Sequence, residues 1–145
     1  MYVERVSEAT DEIYTALRRL IPQLGPHKSL PTWNELTALI ESQASTLLIA
    51  RGGDGNGQIV GLLSLTVYRV PSGVRSIVED LVVDEKMRRQ GTGKALLEYA
   101  IRLAREAGAS GVSLTSNPQR EAANRMYQSM GFTLRQTNAY FYRLK

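Results

Sequence analysis

The chain contains no cysteine, one histidine and one tryptophan in 145 residues. Without cysteine there is no disulfide, no thiolate metal site and no cysteine nucleophile. The single histidine, His27, stands in the loop "LGPHKSLP" without a second histidine or an acid pair beside it, so no metal site is expected. Long apolar runs are missing too, and nothing approaches the roughly 20 consecutive apolar residues that cross a bilayer. The opening "MYVERVSEATDE" lacks the basic start and apolar core of a secretory leader. These absences lead to the expectation of a cytoplasmic protein with no membrane partner.

Hydrophobic residues make up 43% of the chain and charged residues 22%, which are ordinary globular values. The length suits one domain over residues 1–145. A net charge of +4 and a pI near 9.6 invite an anionic partner. The basic residues are spread among acids, however, and a nucleic-acid face would rest on the pI alone, so no nucleic acid is expected.

Hydrophobic periodicity divides the chain into eleven expected elements. A short strand at 2–6 precedes a helix carrying Ile13, Leu17, Leu20 and Ile21 at helical spacing, capped by Thr10 or Asp11 and stopped at Pro22. A second helix is expected over 32–42. "STLLIAR" and "QIVGLLSLTVYRV" read as strands joined by "GGDGNG", whose glycines and Asn56 would supply the positive φ angles of a hairpin. "SIVEDLVVD" is apolar on both faces and reads as a central strand. Gly93 to Ala107 is the clearest helix, with Leu96, Leu97, Ala100, Ile101 and Ala104 on one stripe. "GVSLTS", the helix "QREAANRMYQSM" and a terminal strand pair, "FTLRQ" and "YFYRL", complete the order β-α-α-β-β-β-α-β-α-β-β. The fold class is α/β, of the α+β kind, around one mixed sheet.

The segment "RRQGTGK", residues 88–94, lies between the central strand and the clearest helix. A basic, glycine-containing turn feeding a helix forms an anion site, because the first helical amides have no intrahelical acceptors and the dipole favours negative charge. Gly91 and Gly93 let the backbone approach phosphate oxygens, while Arg88, Arg89 and Lys94 add attraction. A diphosphate fits the length of the loop. A P-loop would need glycine at 88 and serine or threonine at 95, where the chain has Arg88 and Ala95. A dinucleotide fingerprint would need glycine or alanine at 96, which is Leu96.

"RRQGTG" resembles the loop of the GNAT superfamily of acetyl-CoA-dependent N-acetyltransferases: Arg or Gln, two residues, glycine, one residue, then glycine or alanine. "EDLVV" resembles that family's central strand, and "AANRMYQSMGF" its last helix. The resemblance implies one GNAT-like domain with a splayed central strand pair and acetyl-CoA as cosubstrate. It also implies direct transfer to a primary amine of a small molecule or a protein. Residues Arg88, Arg89, Gln90, Gly91, Thr92, Gly93 and Lys94 would hold the diphosphate. The edge of Leu81, Val82 and Val83 would pair with pantetheine, Asn124 would hydrogen-bond that arm, and Tyr127 would return a proton to the departing thiolate.

Glu79 is the expected general base, sharing a face with Leu81 and Val83 while the adjacent Asp80 points the other way. Asp80 or a chain of waters stays open as an alternative, and a bulge would exchange the two faces. GNAT enzymes acting on ribosomal-protein amino termini carry a glutamate and an asparagine where this chain has Thr115 and Arg120, so their base does not carry over. "VEDLVVDEKMRRQGTGKALL" is similar to the central segment of amino-sugar phosphate acetyltransferases, where the acids serve the acceptor site. The acceptor pocket is expected along "LIPQLGPHKSLPTW", with His27, Lys28 and Trp33 as lining residues and a leaning toward acidic acceptors. The terminal strands could pair two copies as a homodimer. A coenzyme A-binding regulatory module without turnover is the alternative function.

Overall fold

The computed structural model describes residues 1–53 and 55–145, and Asp54 of the "GGDGNG" turn lies outside the described residues. The strands are β1 (Tyr2–Arg5), β2 (Ser45–Arg51), β3 (Ile59–Val70), β4 (Gly73–Val83) and β5 (Val112–Ser113). The helices are α1 (Asp11–Leu20), α2 (Trp33–Glu41), α3 (Thr92–Glu106) and α4 (Glu121–Ser129). Thr10 caps α1 by accepting from the Ile13 amide, and Pro22 falls in a 3-10 helix over Ile21–Leu24 where α1 ends. Thr32 and Glu35 form a reciprocal capping box that starts α2. In the β2–β3 turn the positive φ angles belong to Gly53 and Gly55, and Asn56 does not take one.

The sheet runs β1-β2-β3-β4-β5, antiparallel as far as β4 and parallel at β5. Register separates its two faces. Leu47, Ile49, Leu62 and Val82 belong to one face and pack in a core with Ile13, Leu17 and Leu20 of α1 and Leu36 of α2. Leu48, Leu63, Leu65 and Val78 belong to the other, where Leu96, Leu97, Ala100 and Ala104 form the buried stripe of α3. Each fully buried leucine contributes about 2 kcal/mol. Gly61 sets how closely α3 approaches: a Cβ there would stand 3.2 Å from Leu96 Cδ1, Thr92 Cγ2 and the Val82 carbonyl.

Residues Met1–Leu114 and Thr115–Lys145 form two compact units. In the second, α4 follows a turn in which Asn117 Oδ1 accepts from the Gln119 amide at 2.9 Å, and Gly131, at φ 101°, closes the helix. The expected terminal strand pair is not formed. Residues 132–145 carry no regular element, and Leu134, Tyr140, Phe141, Tyr142 and Leu144 are 84–91% exposed. Alternating aromatic and polar residues favour strands only where a neighbouring strand and a covering layer receive them. Among the described residues no helix is long and apolar enough to cross a membrane.

Candidate functional site

The loop expected to hold an anion begins where β4 ends. Asp84, 8% exposed, accepts from the Lys86 amide and opens a 3-10 turn over Glu85–Met87. Its carboxylate is held by Arg19 of α1, whose second guanidinium nitrogen donates to the Ile59 carbonyl at 2.6 Å. The loop entry is thus braced from α1. Arg89 at φ 68° and Gly91 at φ 81° then take left-handed conformations, and Gly91 is the N-cap of α3.

A glycine N-cap offers no side-chain acceptor, and the first helical bond is from the Ala95 amide to the Gly91 carbonyl at 3.0 Å. Among the described residues, the amides of residues 88–94 donate neither to backbone nor to side-chain oxygens. Left-handed residues alternating with ordinary ones turn successive amides into one concavity, which suits an anion. The buried Thr92 hydroxyl has no hydrogen-bond partner among the described residues. Arg88, Arg89, Gln90 and Lys94 are exposed around the loop, and Gly93 is half-buried. Arg88 Nε donates to the Val83 carbonyl at 3.2 Å, which ties the side chain back to the strand.

β4 contains a bulge. Leu62 pairs with Val82 and Ser64 with Glu79, so the interval 79–82 on β4 faces the shorter interval 62–64 on β3. The extra length is taken up at Asp80, whose φ of 51° is left-handed. The expected face assignment is corrected accordingly. Glu79 lies on the face of Val82, the side covered by α1 and α2, whereas Val83 pairs with Gly61 on the opposite face. Glu79 and Asp80 do not diverge: both border one cavity of about 310 Å³. Leu17, Ile21, Leu39, Leu47 and Leu62 form its apolar wall, and Glu35 is its third acid.

Ile21, Ser29, Leu30 and Pro31 bring the expected 20–33 segment to this cavity, but His27, Lys28 and Trp33 do not line it. Among the described residues, the lining of this cavity includes no lysine, arginine or histidine. Beyond Ile77, where pairing with β5 ends at Ser113, the residues of β4 from Val78 to Val83 have no partner on that side among the described residues. Leu81 and Val83 are half-buried there and Val82 is buried in the core.

In the second unit Tyr127 is 6% exposed and packs edge-on against Phe132, with ring centroids 6.0 Å apart. Burial raises its phenol above the ordinary tyrosine value, and the nearby Arg120 charge opposes that in part. Asn124 lies one turn before it, and its Nδ2 donates to the Asn117 carbonyl at 3.0 Å. That bond uses one of its two amide hydrogens.

The acetyltransferase (GNAT) family model matches residues 10–132. The chain belongs to the GNAT family. This GNAT chain is 48% identical over 58 residues to an uncharacterized N-acetyltransferase of Bacillus subtilis, YhdJ, a match covering 39% of the chain and 41% of the relative. It is 37% identical over 79 residues to the aminoalkylphosphonate N-acetyltransferase of Salmonella typhimurium, covering 53% of the chain and 51% of the relative. The matches span between about two fifths and one half of the relatives' lengths. Among solved structures, an aminoglycoside acetyltransferase, meta-AAC0020, from an uncultured soil metagenomic sample superposes with a TM-score of 0.85 at 24% identity, over 99% of this chain and 96% of that one. At that identity the likeness shows the fold.

Sequence reasoning missed three parts of the GNAT chain's site region. Arg19 looks like any polar residue of an amphipathic helix until the fold brings Asp84 to it, 65 positions away. Glu35 reads from sequence as a capping residue, which it is, and its place in the cavity wall depends on how α2 sits on the sheet. The joint exposure of Glu79 and Asp80 to one cavity needs the bulge, for which the sequence carries no local signal stronger than an acid pair inside an apolar strand.

Proposed function

We propose that this GNAT chain, as one domain over residues 1–145, transfers the acetyl group of acetyl-CoA to a primary amine by direct attack in a ternary complex. One observation carries the reading. The single strand β4 ends in a loop of unpaired amides, offers an open edge from Val78 to Val83, and bulges at Asp80 beside an acid-bearing cavity. A donor with a diphosphate, an amide-containing arm and a thioester has those three needs in that order. The amides of Arg88, Arg89, Gln90, Gly91, Thr92, Gly93 and Lys94 take the diphosphate, and the edge of Leu81, Val82 and Val83 pairs with the arm. Asn124 keeps a free amide hydrogen and a carbonyl for the same arm.

The acceptor ammonium loses one proton to Glu79, directly or through water, and the neutral nitrogen attacks the thioester carbonyl carbon. The second proton that the nitrogen sheds on becoming an amide leaves through water and restores the Tyr127 phenol after it has donated. Negative charge gathers on the carbonyl oxygen, where a backbone amide freed by the bulge can stabilise it. The carbon–sulfur bond then breaks, and the departing thiolate takes the phenolic proton of Tyr127. Its phenol, raised by burial, is protonated at neutral pH, as a proton donor must be. The proposed reaction draws on acetyl-CoA, which fits the expected cytoplasmic location.

The test is thiol release from acetyl-CoA over an amine library, with acetylated product identified by mass spectrometry and coenzyme A binding measured by calorimetry. Release with N-acetylated product is expected. Tight binding of the coenzyme without turnover on any amine would favour a regulatory module instead, and absence of binding would remove both readings.

A further inference from the structure

The cavity beside the β4 bulge has a wall pattern that narrows the acceptor, and this step rests on the acetyl-transfer reading. We propose that it takes a small amine carrying a second positive charge on a short apolar body, an alkyl diamine being the simplest case, and disfavours anionic acceptors.

Size comes first. About 310 Å³ lies at the lower end of small-molecule pockets, enough for a short aliphatic chain with two polar ends. The wall comes next. Its apolar part, Leu17, Ile21, Leu39, Leu47 and Leu62, suits methylene groups. Among the described residues its polar part consists of two serine hydroxyls, Ser29 and Ser64, and three carboxylates, with no lysine, arginine or histidine. The carboxylates come from two elements, Glu35 from α2 and Glu79 with Asp80 from β4.

Charge decides between acceptor classes. The ion pairs among the described residues join Arg19 to Asp84 and Arg51 to Glu4 and Glu12, so none of the three cavity acids is neutralised by a protein cation. Glu35, Glu79 and Asp80 are exposed, so an entering cation gains a screened attraction from them rather than relief of a buried charge. A diamine can place the amine to be acetylated at Glu79 and Asp80 and its second ammonium at Glu35. A monoamine leaves one end of the cavity uncompensated, and a phosphonate or phosphate adds like charge to it. The Salmonella relative named for aminoalkylphosphonate therefore differs from this chain in the acceptor this cavity favours.

The test uses the full chain loaded with coenzyme A and measures binding of diaminopentane, pentylamine, aminoethylphosphonate and a lysine-containing peptide by calorimetry, at low and high salt. Diaminopentane is expected to bind about two- to fivefold tighter than pentylamine, the worth of one exposed ion pair, and the advantage should shrink as salt rises. Aminoethylphosphonate should bind weakest. Glu35→Gln should erase most of the diamine advantage; glutamine keeps the capping box, so α2 stays folded, as circular dichroism will check. Equal or tighter binding of aminoethylphosphonate or of the peptide, or an unchanged diamine advantage in Glu35→Gln, would overturn the proposal. Thiol release is followed in parallel: diamine-selective binding without release from any amine would defeat the acetyl-transfer reading while leaving the charge preference supported.

Discussion

Gly91 separates the folding role of the loop from its binding role. It caps α3 at φ 81° and ψ 9°, and a Cβ built on it meets no atom within 4 Å. Gly91→Ala therefore introduces no clash, and its folding cost is that of an L-residue in the left-handed region, about 1–2 kcal/mol. Gly91→Val costs more because a β-branched residue resists that conformation further. In a chain of this length each kcal/mol lowers Tm by about 3–4 °C. Binding should suffer more than folding. The new side chain stands at the N-cap, beside first-turn amides that have no acceptor of their own, and a diphosphate would be displaced from them. Losing two charge-assisted hydrogen bonds costs about 3 kcal/mol or more, over a hundredfold in Kd. Differential scanning calorimetry supplies the first quantity and titration with coenzyme A the second. A Kd for Gly91→Val within threefold of the parent, with the small Tm loss observed, would refute the assignment of the loop to the diphosphate.

Tyr127→Phe should lower turnover by about a hundredfold or more, as expected for loss of a general acid, with coenzyme A affinity within about twofold; stopped-flow and calorimetry divide the two. Because burial raises the Tyr127 phenol, the stability it contributes is constant below about pH 10 and falls as pH rises through the shifted value, so Tyr127→Phe should lose less stability than the parent in alkaline urea titrations. Arg19→Met leaves Asp84 without its partner at 8% exposure. It should cost about 1–2 kcal/mol, less than a fully buried pair because a third of the Arg19 side chain meets solvent, and should raise KM for acetyl-CoA more than it changes kcat. Gly61→Val should cost about 1–3 kcal/mol in urea unfolding, since its Cβ is crowded at 3.2 Å by α3 and β4 together.

Much of this was legible because local chemistry and tertiary context agree. The stripe of Leu96, Leu97, Ala100 and Ala104 is buried as its spacing foretold, since a helix of that pattern has one way to meet a sheet. The backbone of "RRQGTGK" was legible for a related reason: its glycines announce a turn feeding a helix, and Gly91 is the left-handed N-cap of α3, while the anion role of the loop is the proposed reading. The C-terminal "FTLRQ" and "YFYRL" mark the opposite case, because a strand pattern states a propensity and says nothing about whether an edge will receive it.

The acid pair shows why the acceptor side is the harder half to read. Alternation along a strand separates Glu79 from Asp80, and only the register of β3 against β4, a relation between distant segments, reveals the bulge that turns both toward one cavity. The proposed acceptor cavity draws Leu17, Glu35, Leu62 and Glu79 from four elements, each at a position ordinary for its own element. On the proposed reading, the donor side is contiguous in sequence and held by backbone. The acceptor side is dispersed and held by side chains, so substitutions there can alter its charge without disturbing the loop, and likeness at "RRQGTGK" constrains the acceptor little.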